Sequence, residues 1–149
     1  MEHNAVMRPL VQLEKHGISF DRIPCASDGS LLLDKAAALL RPETKLVVCL
    51  HASNVCGTVM PAQEIGDFCK EHRLLFILDT AQTAGTIDID MEKYHIDALA
   101  FTGHKGLRGP QGTGGFLIRN ELAAQIEPLI NGRSEEHTSE LQSPRYLVC

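Results

Sequence analysis

The chain of 149 residues is long enough for one domain with a hydrophobic core, and its composition, 44% apolar and 22% charged, is that of an ordinary globular protein. A net charge of −5 without a basic cluster argues against nucleic-acid binding, and no apolar run reaches the length that spans a membrane. The five cysteines form no CxxC pair, which argues against a zinc site or a disulfide framework and predicts reduced thiols in a cytoplasmic protein.

The two ends of the chain differ from its middle. The opening "MEHNAV" is polar and follows no strand, which predicts that Met1 is an internal methionine. Residues 133–149 have no apolar periodicity, and residues 133–143 are similar to the translation of a widely used short-read sequencing adapter. We therefore expect residues 1–132 to be a partial domain, an interior fragment of a longer protein, and residues 133–149 to be a non-native or disordered tail.

Between these ends, the apolar pattern predicts alternating helices and strands. The predicted helices cover residues 6–17, 31–42, 61–73 and 120–130, with a short helical piece around 91–94, and the predicted strands cover residues 18–25, 45–50, 74–79, 97–102 and 112–119. Asn120 is expected to cap the last helix. Nearly continuous apolar strands between amphipathic helices predict a layered α/β fold with a mostly parallel sheet, whose last strand is antiparallel.

Polar residues follow three of the apolar strands, at the point where each strand ends. In chain order these residues are His51, Ser53 and Asn54, then Asp79 and Gln82, then Thr102, His104 and Lys105. Ligands of parallel sheets bind beyond the carboxyl ends of the strands. If the three strands are neighbours, their polar residues converge on one crevice.

The residue types in this crevice favour a Schiff-base lysine with pyridoxal 5′-phosphate (PLP). No GxGxxG precedes a helix, and "GPQGTGG" lacks a P-loop ending and leads into a strand. A metal site of His51, Asp79 and His104 would have few ligands and an unexplained lysine nearby. Lys105 could instead form an imine with the cofactor aldehyde, and Asp79 could pair with the pyridine nitrogen. Asp79 follows five apolar residues, where its charge is costly without a cationic partner.

Each residue also has a purely structural interpretation when it is taken alone. Asp79 could cap a helix, Lys105 could be a solvated loop lysine, and His51 and His104 could be packing histidines. The glycines of the loop could make a hairpin turn, and Cys56 and Cys69 are expected to be small buried hydrophobes. These interpretations require several independent coincidences at corresponding strand ends.

Residues 1–132 resemble the large domain of class V aminotransferases, most closely the cysteine desulfurase-like branch. The matching motifs are "EHNAV", "HASNVCGT", "DTAQTAG" and "FTGHKGLRGPQGTGG", and the last is close to diagnostic. The resemblance implies a three-layer α/β/α sandwich, part of the major domain of a PLP-dependent transferase, with PLP as the cofactor.

The resemblance also implies roles around the cofactor ring. Lys105 matches the Schiff-base lysine, which also moves the proton at Cα of the substrate. Asp79 matches the partner of the pyridine nitrogen, and Gln82 matches the donor to the phenolic oxygen. His3 matches the histidine that stacks on the ring.

Further matches concern the phosphate and the substrate. Thr102 and His104 match phosphate-contacting positions, with threonine where some relatives carry serine. Asn54 lies where the family contacts the cofactor and the substrate carboxylate. His51 is expected to have a supporting role.

The activity that the resemblance implies is cysteine desulfuration, which converts L-cysteine to L-alanine and transfers sulfur to an enzyme thiol. None of the chain's cysteines matches the sulfur-accepting loop position, and the substrate-carboxylate arginine of the family is also absent, so the chain by itself is expected to be inactive. Other class V activities, transamination or β-elimination, and a catalytically inactive relative are the alternatives. A homodimer and a sulfur-acceptor protein are the partners that the resemblance implies.

Overall fold

Four strands form one mixed sheet in the computed structural model, which describes residues 2–127. The strands are Leu46–Leu50 (β1), Leu75–Asp79 (β2), Ala98–Thr102 (β3) and Gly114–Ile118 (β4), and they lie in this order across the sheet. β1, β2 and β3 are parallel, and β4 is antiparallel to β3. The predicted mostly parallel α/β fold and the antiparallel last strand are confirmed.

Three α-helices accompany the sheet within the described residues: Asn4–Glu14 (α1), Ala62–Glu71 (α2) and Asn120–Ala123 (α3). α2 presents a buried stripe with helical spacing, made of Ala62, Ile65, Gly66 and Cys69. No residue of α1 is buried. α2 is therefore anchored by its apolar stripe, whereas α1 is held at the surface.

The hydrophobic core lies between α2 and one face of the sheet. Its sheet residues are Cys49, Phe76, Leu78 and Leu99, and Ile65 of α2 packs against them. A Cβ atom on Gly66 would lie 1.8 Å from the carbonyl oxygen of Tyr94, so only glycine allows this approach of α2 to the segment before β3.

The opposite face of the sheet carries Asp79 and Thr102. Register pairs Asp79 with Ala100, and Ala100 with Phe116. Ala100 and Phe116 are both exposed. This face is therefore open beside Asp79, between β2 and β4.

Two of the predicted elements are absent from the first part of the chain. Residues 18–25 form no strand, and only one isolated bridge joins Cys25 to Leu31. A strand needs a neighbour for its hydrogen bonds, and beyond that bridge no strand of the described sheet pairs with these residues. The predicted helix over 31–42 is instead two short 3₁₀ turns, Leu33–Lys35 and Ala37–Leu39. Because Ala36 is the one residue of this segment that is buried, it lacks the packed face that stabilises most helices.

Smaller predictions about local structure were also wrong. The segment around 91–94 forms turns rather than a helix, and the Asp90 side chain shapes the first of them by accepting hydrogen bonds from the N–H groups of Glu92 and Lys93. Asn120 is the first residue of α3 rather than its cap, and Arg119 occupies the cap position without a side-chain hydrogen bond.

The predicted helix beyond residue 127 and the tail of residues 133–149 lie outside the described residues. Among residues 2–127, no helix is both long enough and apolar enough to cross a membrane.

Candidate functional site

The carboxyl ends of β1, β2 and β3 lie side by side at one edge of the sheet. Register pairs Leu50 with Asp79, and Asp79 with Ala100. Thr102 ends β3 two residues further on. The three sets of polar residues predicted from the sequence therefore follow neighbouring parallel strands at one edge.

Asp79 provides a carboxylate oxygen that is available to a ligand. The side chain is half-buried, and its Oδ1 accepts a hydrogen bond of 2.9 Å from the N–H of Ala81. Its other oxygen has no hydrogen bond to a described residue. The neighbouring Ala100 is small and exposed, so it leaves room for a cationic ring next to this oxygen.

Thr102, His104 and Lys105 form a polar group at the end of β3. Thr102 Oγ1 and His104 Nδ1 lie 3.0 Å apart. Lys105 is exposed, and its ammonium group makes no ion pair with a described residue. The loop that carries it is closed at its base, because the N–H of Gly109 donates to the carbonyl oxygen of Gly103 over 2.7 Å.

The loops after β2 and β3 are packed directly against each other. A Cβ atom on Gly106 would lie 2.4 Å from the carbonyl oxygen of Ala84, so a side chain there would force the two loops apart. Gln82 is half-buried in the first loop, and its amide makes no hydrogen bond to a described residue. The contact fixes Gln82 and Lys105 on adjoining loops.

His51 joins the end of β1 to the loop after β2. Its backbone N–H donates to the carbonyl oxygen of Asp79 over 2.8 Å, and its Nδ1 lies 2.9 Å from Thr83 Oγ1. The side chain is buried, and this burial lowers the pKa of His51 below its usual value of 6.5. Thr83, to which the sequence analysis gave no role, is thus the side-chain partner of His51.

This burial predicts a pH dependence of stability. Since the folded state binds fewer protons at His51 than the unfolded state, the free energy of unfolding should fall as the pH is lowered below about 6.5. His51→Asn should have a flatter profile of unfolding free energy between pH 7.5 and 5.5, measured by urea denaturation. His16→Asn, on an exposed residue, is the control. An unchanged slope in His51→Asn would contradict the assignment.

Asn54 lies in the turn after β1. Ser53 Oγ accepts hydrogen bonds from the N–H groups of Val55 and Cys56, which shapes the turn. Asn54 is exposed, and its side chain makes no hydrogen bond to a described residue. The expectation that Cys56 is buried was wrong: it is exposed, and hydrogen bonds, chiefly from Ser53 and also from Thr58, lower its pKa to about 7. Cys69 is buried as expected.

His3 lies at the start of α1, where it caps the helix. Its Nδ1 accepts a hydrogen bond of 3.1 Å from the N–H of Ala5, and the side chain is exposed. The preceding residue, Glu2, was missed by the sequence analysis. Its Oε1 accepts a hydrogen bond of 3.1 Å from the N–H of Leu50, at the end of β1. The signal in the sequence was an acidic residue directly beside a candidate histidine.

The polar groups at the strand ends are of several chemical kinds. Within residues 2–127, no group of three or more His, Cys, Asp or Glu side chains could hold a metal ion. The groups available at the strand ends are one carboxylate oxygen, one amine, two amides and a hydroxyl–imidazole pair.

Comparison with known proteins identifies relatives with the same sequence pattern. The family model for aminotransferase class V matches residues 1–146. A mitochondrial cysteine desulfurase of Arabidopsis thaliana is 34% identical over 135 residues, 91% of this chain and 30% of the relative. The cysteine desulfurase IscS of Vibrio campbellii is 34% identical over the same share of this chain and 33% of its own length.

Solved structures of related proteins have the same fold. The apo structure of a cysteine desulfurase from Thermococcus onnurineus NA1 superposes with a TM-score of 0.85 at 32% identity, over 99% of this chain and 36% of that one. SspA in complex with cysteine superposes with a TM-score of 0.82 at 32% identity, over 88% of this chain and 38% of that one. The chain thus spans about a third of the length of the curated relatives that it matches.

Proposed function

We propose that this chain, which belongs to the class V aminotransferase family of PLP-dependent enzymes, is part of a cysteine desulfurase. The observation that supports the proposal most directly is that Asp79 ends β2 and Lys105 follows the neighbouring parallel strand β3, while the loops after these two strands touch. The proposed reaction converts L-cysteine to L-alanine and transfers the sulfur atom to an enzyme thiol.

The residues at the strand ends fit PLP. Asp79 has one carboxylate oxygen without a described partner, beside the exposed Ala100, where a flat ring can lie. The amine of Lys105 makes no ion pair with a described residue, so it is available for a covalent bond. A carboxylate and an amine in this arrangement are the two groups that PLP chemistry requires.

When bound, PLP supplies an aldehyde that bonds to amines and a ring that accepts electrons from Cα of the substrate. In this proposal Asp79 holds a proton on the pyridine nitrogen, because its carboxylate favours the charged form of that nitrogen. Lys105 Nζ holds the cofactor covalently and moves the proton at Cα of the substrate. Gln82 donates a hydrogen bond to the phenolic oxygen, and His3 lies against the ring.

Three further residues orient the cofactor and the substrate in this proposal. The hydroxyl of Thr102 and the imidazole of His104, 3.0 Å apart, bind the phosphate. Asn54, whose amide makes no hydrogen bond to a described residue, contacts the cofactor and the substrate carboxylate. Its position on the exposed turn after β1 places it at the same edge of the sheet.

L-Cysteine is the proposed substrate because the relatives are cysteine desulfurases and a structural neighbour is SspA in complex with cysteine. The thiol that receives sulfur belongs to a part of the enzyme outside this chain. We also propose a homodimer and a separate sulfur-acceptor protein. The proposed compartment is the cytoplasm, which fits the reduced thiols of Cys25, Cys49 and Cys69.

Reductive trapping tests the proposal. The complete product of the gene is incubated with PLP and treated with sodium borohydride, which turns a carbonyl–amine linkage into a stable C–N bond, and the labelled peptide is mapped. We expect the label on Lys105, and we expect alanine and enzyme-bound sulfur after incubation with L-cysteine. The exposed Lys15 is the internal control.

Each outcome of this experiment identifies a different kind of protein. A protein that carries no label at Lys105, with cofactor supplied, would contradict the assignment of a PLP enzyme. A labelled protein that releases pyruvate and ammonia would be a β-elimination lyase, and one that exchanges amino groups with a keto acid would be a transaminase.

A further inference from the structure

We propose that Glu2 is a positioning residue that ties the start of α1 to the end of β1 and thereby fixes the location of His3. The role of His3 against the cofactor ring belongs to the proposed function, and this inference rests on it. The tie itself is a property of the chain and is open to measurement without the cofactor.

The direction of its backbone N–H group explains why Leu50 needs a partner outside the sheet. The N–H groups of successive residues in a strand point alternately to its two sides. The N–H of His51 donates to Asp79 in β2 over 2.8 Å, so the N–H of Leu50 points to the other side of β1. β1 is the edge strand of the described sheet. Glu2 Oε1 accepts this N–H over 3.1 Å and bridges 48 positions of sequence.

The weak packing of α1 makes this hydrogen bond important for the location of the helix. No residue of α1 is buried, so no apolar side chain of the helix is anchored in the core. The carboxyl of Glu2, by contrast, reaches inward. Its Oε2 is buried without a hydrogen-bond partner among the described residues. Burying such an oxygen costs free energy that a side chain in contact with water does not lose.

The charge around Glu2 indicates that the accepting oxygen, not the negative charge, is the useful feature. Burial raises the pKa of Glu2, the hydrogen bond from Leu50 opposes this rise, and the nearby Asp79 adds a smaller increase. Glutamine offers the same accepting oxygen without a charge. It should therefore replace Glu2 with little loss, whereas alanine should not.

Two constraints then act on His3. The helix start fixes its ring, because Nδ1 accepts the N–H of Ala5 over 3.1 Å. The neighbouring Glu2 fixes its backbone relative to β1, and β1 lies beside the strand that ends in Asp79. Loss of the tie should leave α1 helical but shift His3 relative to Asp79.

The experiment compares Glu2→Ala and Glu2→Gln in the complete gene product. Glu14→Ala, on the exposed last residue of α1, is the matched control. The first measurement is amide hydrogen exchange of Leu50 without cofactor. Loss of one hydrogen bond worth about 1 kcal/mol corresponds to exchange about fivefold faster, so we expect this change in Glu2→Ala and none in the other two variants. The second measurement is the dissociation constant of PLP with the visible circular dichroism of the bound cofactor.

We expect Glu2→Ala to bind PLP roughly tenfold more weakly with a reduced dichroic band, and Glu2→Gln to restore both. If the substitutions acted only by unfolding the protein, the urea midpoint would fall in both Glu2 variants and Glu2→Gln would not restore PLP binding. That result would overturn the inference. Unchanged Leu50 exchange in Glu2→Ala, or a Glu2→Gln variant as impaired as Glu2→Ala, would overturn the inference. A wild-type protein that does not bind PLP would overturn the proposed function instead, while the exchange measurement would still decide whether the tie exists.

Discussion

Replacement of Asp79 by asparagine in the complete enzyme is expected to lower kcat/KM for L-cysteine by on the order of 10²–10³-fold. Removal of one partner of a desolvated charge pair typically costs about 2–5 kcal/mol. Asparagine keeps an oxygen that can accept the N–H of Ala81, now 2.9 Å from Asp79 Oδ1, so the turn after β2 should persist. In the proposed reaction, the variant loses the negative charge that holds a proton on the pyridine nitrogen.

The measurement must separate this charge effect from a change of fold. The urea midpoint of Asp79→Asn should remain close to that of the wild type, and its bound cofactor should have a shifted absorption band. Asp88→Asn, on an exposed residue of the following segment, is the matched control and should keep wild-type activity. An Asp79→Asn enzyme with more than a tenth of wild-type kcat/KM would show that Asp79 merely shapes the turn.

The strands that were predicted correctly share one physical property, which is burial by the core. The segments that became β1, β2 and β3 differ from the predicted spans by one residue at most at either end, because each pairs with a parallel neighbour and contributes to the core. Residues 18–25 carry Asp21, Arg22 and Pro24 among their apolar residues and pair with no strand of the described sheet, and their strand is absent. Composition reports the propensity of a segment, whereas pairing depends on what lies beside it.

The helix predicted over residues 31–42 failed for a related reason. Its alanines and leucines favour helix formation, yet Leu40 is extended and Pro42 follows closely, so only short turns remain. α2 succeeded because the spacing of Ile65 and Cys69 places both against the sheet. A packed face therefore decided between two segments of comparable propensity.

The candidate site was predictable where chemistry follows directly from a strand end. Asp79, Thr102 and Lys105 were found because an apolar run stops at a polar residue. The role proposed for Glu2 could not be predicted from a strand end. Its partner Leu50 lies 48 positions away and donates its backbone N–H, which every residue except proline carries. The exposure of Cys56 was missed because the sequence of a turn gives no sign of which of its side chains face the solvent.

Replacement of Lys105 by alanine should have the largest effect of any single change in this chain. In the proposed reaction the amine of Lys105 both holds the cofactor and moves the proton at Cα, so the variant loses a covalent bond and a general base together. Either function alone contributes factors of about 10²–10⁴, and we expect kcat to fall by at least about 10³-fold.

The structure around Lys105 indicates that the fall in kcat will come from lost chemistry and not from a changed conformation. Lys105 is exposed and its side chain makes no ion pair with a described residue, while the loop is held by Gly103, Gly106 and Gly109 through backbone contacts. Lys105→Ala should therefore unfold at the wild-type urea concentration, and Lys105→Arg, which keeps the charge but does not form the covalent bond, should be as inactive as alanine. Added small primary amines should restore part of the activity of Lys105→Ala, since they replace the missing proton carrier, whereas they should not affect the control Lys15→Ala. An active Lys105→Arg enzyme would mean that the lysine acts only through its charge, and the covalent role would then have to be assigned to another residue.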